Sequence, residues 1–328
     1  MVDVVDIKVG YSCNNDCFHC VIADKRRTLL KEEKSVDRST KEVFALIDEA
    51  ASDGATSIVL TGGEITIRRD IFEILDHVKS KNFHHINMQT NGRMFYYKEF
   101  VERIIQYPNV HFTVALHSIY EKDHDWITGS KGSFKQTTQG IKNMKVAGVN
   151  NRIGAKFVLS KKNFNIMPDM IKFTKELGCG SINIAFPHAM GNALLNFYNC
   201  IPKYSEIHES LTKAINVSKE IKQHVDFEAI PLCYLQENEA YASEFRMSDH
   251  TKLRDLSHSD ENYTKTRKTT AKLKGPQCKE CKYFLICEGP WDDYVHGYGF
   301  EDLVPVKGKQ ITNINELPSF KERAINGY

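Results

Sequence analysis

The sequence predicts an α/β fold built as a parallel barrel, closed or open, and three observations carry it. From the start to about residue 230, apolar strand-like runs alternate with amphipathic helix-like runs, and six βα units in series argue parallel strands joined by crossover helices. Gly54, Gly148 and Gly178 each follow a helix-like run at the usual stop position. Motifs able to carry chemistry fall just after the strand-like runs, where a parallel barrel gathers its functional groups.

The strand-like runs are 4–9, 57–60, 85–89, 110–116, 153–159 and 181–186. Between them, 41–53, 71–81, 100–107, 134–147 and 167–177 space apolar residues three and four apart, the mark of a helix with one buried face. Six units are too few for an ordinary eightfold barrel. In the C-terminal third the pattern changes. A helix is expected over 206–222, then a short apolar run to Cys233. A polar stretch over 236–275 reads as a surface excursion or lid, because it holds few large apolar residues. Two units are expected, 1–225 and 226–328.

With 328 residues and 41% hydrophobic content the chain can bury one large core or two smaller ones. Its 44 Lys and Arg nearly balance 42 Asp and Glu, which excludes a whole-molecule field for nucleic acid or a membrane surface. No apolar run has the length of a membrane span, and Asp3, Asp6 and Lys8 stand where a signal peptide would be apolar, so a cytoplasmic location is expected. The nine cysteines are odd in number, and three are too crowded for an ordinary disulfide framework. Reduced thiols acting as metal ligands are the better reading, in a reducing, oxygen-poor setting.

After the first strand-like run comes Cys13-Asn-Asn-Asp-Cys17-Phe-His-Cys20. Three thiolates in eight residues can ligate three irons of a [4Fe–4S] cube and leave the fourth iron open for chemistry. Half a zinc knot or core thiols are the bland alternatives, but the next His or Cys after Cys20 is the distant His77. Thr61-Gly62-Gly63-Glu64 follows the second strand; its glycines suit close backbone approach and its carboxylate can accept from an ammonium group. Gln89-Thr90-Asn91-Gly92 ends the third and His117-Ser118 the fourth. On the fifth, Ile153, Ala155 and Phe157 should face the helices, leaving Lys156 toward the barrel cavity, where its ammonium needs a carboxylate.

These residues resemble the radical S-adenosylmethionine (SAM) superfamily, whose signature is CX3CX2C after the first barrel strand. The resemblance implies a partial (β/α)6 barrel and a [4Fe–4S] cluster whose open iron chelates SAM. One electron then cleaves SAM to a 5′-deoxyadenosyl radical that abstracts hydrogen from substrate. It implies a place beside adenine for His19, a grip on the SAM amino group for Gly62, Gly63 and Glu64, although Ile65 replaces the usual proline, and SAM-pocket contacts for Asn91 and Ser118. Lys156 is left between the SAM carboxylate and a buried ion pair with a barrel Asp or Glu.

The tail Cys278-Lys-Glu-Cys281-Lys-Tyr-Phe-Leu-Ile-Cys287 has metal-ligand spacing, and Cys233 can supply a fourth thiolate. It resembles the auxiliary-cluster region of the SPASM/Twitch subgroup in its one-cluster Twitch form, which implies a second [4Fe–4S] cluster; a tetrahedral zinc site is the rival. Cys179 precedes the sixth strand and reads as core. Cys200 lies beyond it and is the candidate hydrogen-atom donor to a substrate radical, against the usual role of a free cysteine in packing.

The resemblance implies modification of a ribosomally made peptide by cross-linking, epimerisation or oxidation, with a small alcohol or sugar as the alternative substrate. The first strand begins almost at Met1, which argues against an added N-terminal leader-binding domain and so against the peptide. A glycyl-radical activase fits less well, since no ferredoxin-like insertion lies between Cys20 and Thr61. A non-enzymatic metal-binding or electron-transfer protein would make no 5′-deoxyadenosine. A one-electron reductant such as flavodoxin or ferredoxin is the implied partner.

Overall fold

A computed structural model describes residues 2–326. Eight parallel strands run β1 (Val4–Lys8), β2 (Ser57–Thr61), β3 (His85–Thr90), β4 (Val110–Ala115), β5 (Ile153–Val158), β6 (Ser181–Ala185), β7 (His224–Glu228) and β8 (Thr251–Arg254). With the two-residue β9 (Ser259–Asp260) they form one sheet in the order β7-β6-β5-β4-β3-β2-β1-β8-β9. The six expected strands are present in sequential order, curved as a partial barrel, and the sheet is extended at both edges.

The helices that cover it are α1 (Ala23–Lys31), α2 (Thr40–Ser52), α3 (Ile71–Lys79), α4 (Lys98–Ile104), α5 (Glu121–Thr128), α6 (Ser133–Val146) and α7 (Met167–Leu177). Short α8 (Asn192–Leu195) and α9 (Phe197–Cys200) precede the long α10 (Tyr204–Ile221). Local signals explain their ends: Ser39 and Glu42 cap α2 reciprocally, and Gly178 ends α7 at a φ of 95°. On β5, Ile153, Ala155 and Phe157 are buried under the helices, as their alternation requires. No helix among the described residues is long and apolar enough to cross a membrane.

The polar stretch over 236–275 corrects the expectation of a surface lid. Its β8 pairs in parallel with β1 from Val4↔Thr251 to Ile7↔Arg254, inside the sheet. The segment tolerates burial because its charges are paired: Arg254 bonds Glu49 at 2.6 Å and Glu261 at 2.8 Å. Arg267 bonds Glu288 at 2.8 Å, and Lys272 bonds Glu244 at 2.6 Å and Glu288 at 3.0 Å. The expected division after residue 225 falls within β7, and one apolar core runs from Val5 to Tyr283, Trp291, Tyr294 and Leu317. After β8 come α11 (Tyr263–Thr266), α12 (Asp292–Tyr298) and α13 (Pro318–Asn326).

Candidate active site

The loop carrying Cys13, Cys17 and Cys20 leaves the C-terminal end of β1 and is tied down from several sides. Gly63 N donates to Gly10 O at 2.8 Å and Glu64 N to Ser12 O at 2.7 Å, so the backbone after β2 lies directly on the backbone entering the loop. A Cβ on Gly63 would stand 2.2 Å from Ser12 O, and one on Gly62 2.2 Å from Gly10 O. The two glycines are required by this backbone contact itself, a reason the motif alone did not reveal.

Glu64 is 2% exposed, and its carboxylate accepts from Thr66 N (3.0 Å), Thr66 Oγ1 (2.5 Å), Thr90 Oγ1 (2.6 Å) and Asn91 N (2.6 Å). No Lys or Arg among the described residues forms an ion pair with it, and burial raises its pKa. A buried, oriented carboxylate without a cation suits an ammonium ligand. Asn91 joins this group to the cysteine loop through Nδ2, which donates to Asn14 Oδ1 at 2.7 Å.

The three thiols of the loop are partly buried. Burial and then the neighbouring carboxylate and thiol, Glu64 and Cys20, push Cys13 up to about 11; burial and then Cys20 and Cys13 raise Cys17 strongly. Crowded thiols whose ionised forms are disfavoured are suited to a polycationic iron cluster, which supplies the missing positive charge. His19 and His117 meet edge to face at 4.7 Å, and each has a buried, unpartnered Nδ1. Ser118 is fully buried, and its Oγ accepts from Tyr120 N at 3.0 Å.

Lys156 resolves to one of its two alternatives. Its Nζ is paired with Glu228 on β7 and donates to Asn183 Oδ1 at 2.6 Å, so its charge is already balanced and needs no ligand carboxylate. Cys200 departs from the accessible donor expected of it. It is fully buried in the apolar core, and burial pushes its thiol up to about 12. It packs; an extra thiol after a strand looks the same in sequence whether it faces a cavity or a core.

Three residues that sequence reading missed hold the cysteine loop. Asn192 N donates to Cys20 O at 2.9 Å and its Nδ2 to Cys17 O at 2.8 Å. Arg27 Nη1 donates to Asn192 Oδ1 at 2.7 Å. Arg93 Nη1 reaches Asn14 O, Asn15 Oδ1 (2.7 Å) and Ser130 Oγ (2.9 Å). Arg93 directly follows Gln89-Thr90-Asn91-Gly92, which was the one available signal.

In the C-terminal third, Cys233, Cys278, Cys281 and Cys287 all line a single small cavity, with Pro231, Lys274, Phe284 and Pro290 among its walls. Gly289 N donates to Cys287 Sγ and Val306 N to Cys281 Sγ, both at 3.4 Å. Burial, then the thiols of Cys287, Cys281 and Cys278, push the Cys233 thiol up.

A parallel partial barrel with three thiols at the end of its first strand and a buried carboxylate at the end of the second defines a radical-generating enzyme class. The model of the Radical SAM superfamily matches residues 7–174, and the chain belongs to that superfamily. Such a fold implies SAM and a [4Fe–4S] cluster, which the residues above fit. The chain is 27% identical over 217 residues to a probable GTP 3′,8-cyclase of Saccharolobus islandicus, covering 66% of this chain and 67% of that protein. It is 29% identical over 164 residues to the Fe-coproporphyrin III synthase of Methanosarcina barkeri, covering 50% of this chain and 39% of the other. Among solved structures it is similar to Streptococcus suis SuiB bound to S-adenosylmethionine, with a TM-score of 0.63 and 15% identity over 95% of this chain and 78% of SuiB. SuiB bound to precursor peptide SuiA gives 0.57 and 15% over 77% and 57%.

Proposed function

We propose that the chain is a radical SAM maturase that modifies a ribosomally made peptide and carries a second, auxiliary [4Fe–4S] cluster on Cys233, Cys278, Cys281 and Cys287. The observation that carries the auxiliary cluster is the convergence of four thiols from separate segments on one cavity. A zinc ion bound by the same four thiolates at about 2.3 Å is the rival, and metal content separates the two. The peptide reading is supported by the likeness in fold to SuiB, which was solved with its precursor peptide. A small-molecule substrate is the second reading, favoured by the names of the curated relatives.

In this proposal Cys13, Cys17 and Cys20 hold the first cluster, which when bound supplies the electron that cleaves SAM. Glu64 accepts from the SAM amino group, Gly62 and Gly63 shape that wall, and His19, Asn91 and Ser118 line the rest of the pocket. Lys156 holds Glu228 and Asn183 at the strand ends rather than touching SAM. Flavodoxin or ferredoxin is the reductant, and the location is the cytoplasm.

Reconstituted protein is expected to hold about eight irons, four for each cluster. Changing Cys13, Cys17 and Cys20 together to Ala should abolish 5′-deoxyadenosine formation and leave about four irons. Cleavage of SAM by the triple variant would overturn the assignment of the first site. Wild-type protein carrying one zinc and half of that iron would overturn the auxiliary cluster. For the substrate, a mass change in a short peptide encoded beside the gene, dependent on SAM and reductant, separates the peptide reading from the small-molecule one.

A further inference from the structure

Where the loop after β6 meets the segment after Cys287, three side chains converge that none of the roles above uses. His188 Nε2 lies 3.1 Å from Asp293 Oδ2, and one ligand atom each from His188, Asp292 and Asp293 all lie within 4.8 Å of one another. Ala189 N also donates to Asp293 Oδ2, at 2.8 Å, which fixes the carboxylate. The other oxygen, Oδ1, is buried and has no partner.

Trp291 gives an independent sign of an unfilled site. It is 5% exposed and stacks on the His188 ring at 4.2 Å and 13°, yet its Nε1 is buried without an acceptor. A buried indole N–H without a partner is costly and calls for a group that is not protein.

The charge balance says which kind of group. Lys272, which lies over the Trp291 ring at 4.9 Å, is already committed to Glu244 and Glu288. Among the described residues no Lys or Arg pairs with Asp292 or Asp293. Two carboxylates this close together without a cation would be stabilised by positive charge placed between them. The His188 imidazole, in its neutral form, adds a nitrogen ligand or acceptor to the two carboxylates.

We propose that His188, Asp292 and Asp293 form a cation-binding site at the mouth of the barrel, filled by a divalent metal ion or by the protonated amine of a substrate. Both sources need the same convergent carboxylates. A metal ion with N and O ligands at about 2.1 Å sets neighbouring ligand atoms about 3 Å apart, the separation His188 and Asp293 already have. An ammonium group would instead take charge-assisted hydrogen bonds from its own N–H groups to the carboxylate oxygens. A bound water on the metal, or a carbonyl beside the amine, would accept from the Trp291 N–H.

The site rests on its own geometry, and an equilibrium-binding readout keeps its test separate from the peptide reading. The chain has two tryptophans, so Trp126→Phe leaves Trp291 as the one indole, stacked on His188. Cluster-loaded protein in that background is titrated with manganese(II) chloride and, separately, with L-lysine amide. A saturable fluorescence change with manganese, matched by loss of the free-ion EPR signal at one ion per chain, identifies the metal. Saturation by lysine amide alone identifies the amine. In either case Asp293→Asn and His188→Gln should weaken binding at least tenfold while iron content stays at the parent value. No saturable response to either probe, or binding unchanged in both variants, would overturn the proposal.

Discussion

Cys13, Cys17 and Cys20 share one short loop, and the ends of β2 and β3 together with α5 and α8 grip that loop through its backbone. Cys233, Cys278, Cys281 and Cys287 come from two distant segments that pack on the apolar core, and Glu288, next to Cys287, is held in buried ion pairs by Lys272 and Arg267. The first region is therefore held mainly by hydrogen bonds to the loop itself, those of Arg93 included, and by close backbone contact. The second packs on the apolar core and has a buried ion-pair network beside it. The difference predicts that the two sites can be broken separately and by different means.

The largest effect is expected at Gly63. Its Cβ would stand 2.2 Å from Ser12 O and 2.6 Å from Tyr11 O, both backbone atoms that no side-chain rotation can move. Gly63→Ala should displace the loop and lose the first cluster, and with it 5′-deoxyadenosine formation, while the iron of the C-terminal site is retained. Iron analysis and a SAM-cleavage assay read both, and unchanged cleavage would show that the backbone contact is not needed.

Next comes Lys272, whose side chain is 1% exposed between Glu244 and Glu288. Lys272→Met leaves two buried carboxylates without their shared cation, a change that costs about 3–5 kcal/mol. The expected outcome is a lower denaturation midpoint and loss of the auxiliary iron, with SAM cleavage at the first site retained. Equal loss of iron from both sites would mean that the regions are one cooperative unit, as their continuous apolar core also allows.

How much of this was legible in the sequence follows the same contrast. The six barrel strands and five of their helices were readable because apolar periodicity is a local signal, and the cysteine loop was readable because its ligands are crowded together. β8 was not, since Lys252, Arg254 and their neighbours look like a solvated run until Glu49, Asp53 and Glu261 are brought against them by the fold. Lys156 showed its need for a carboxylate but not which one, because Glu228 lies on a strand that the sequence reading placed past the end of the barrel. Cys200 illustrates the limit most simply: its position after β6 was clear, but burial is a property of everything packed around it.

The smallest effect expected is one of pH, and it distinguishes the two regions by size. His124 on α5 is buried and neutral, with Nδ1 accepting from His117 N at 3.1 Å, and burial holds its pKa down to about 4. His117 is lowered further by burial and then by His19, and His19 itself is held by burial at about 4. In the unfolded chain such groups titrate near 6.5. Between about pH 6.5 and 4 the unfolded state therefore binds more protons, so the stabilisation is complete above 6.5 and is lost as pH falls. At pH 5.5 one such histidine costs about 1.4 kcal/mol relative to a pH well above 6.5. In the C-terminal region Glu288 has a lowered pKa and keeps its charge in this window, while the gain on acidification at Asp293, raised to about 7 mainly by burial, offsets the loss at His188, held down to about 4 by burial. Lowering the pH from 7.5 to 5.5 should thus loosen the cysteine loop before the four-cysteine cavity, seen as earlier loss of the SAM-binding cluster signal. His124→Gln should recover about 1 kcal/mol of that pH-dependent loss, as measured by urea midpoints at the two pH values. A variant that loses as much stability as the parent between pH 7.5 and 5.5 would show that these buried imidazoles do not set the acid sensitivity of the barrel.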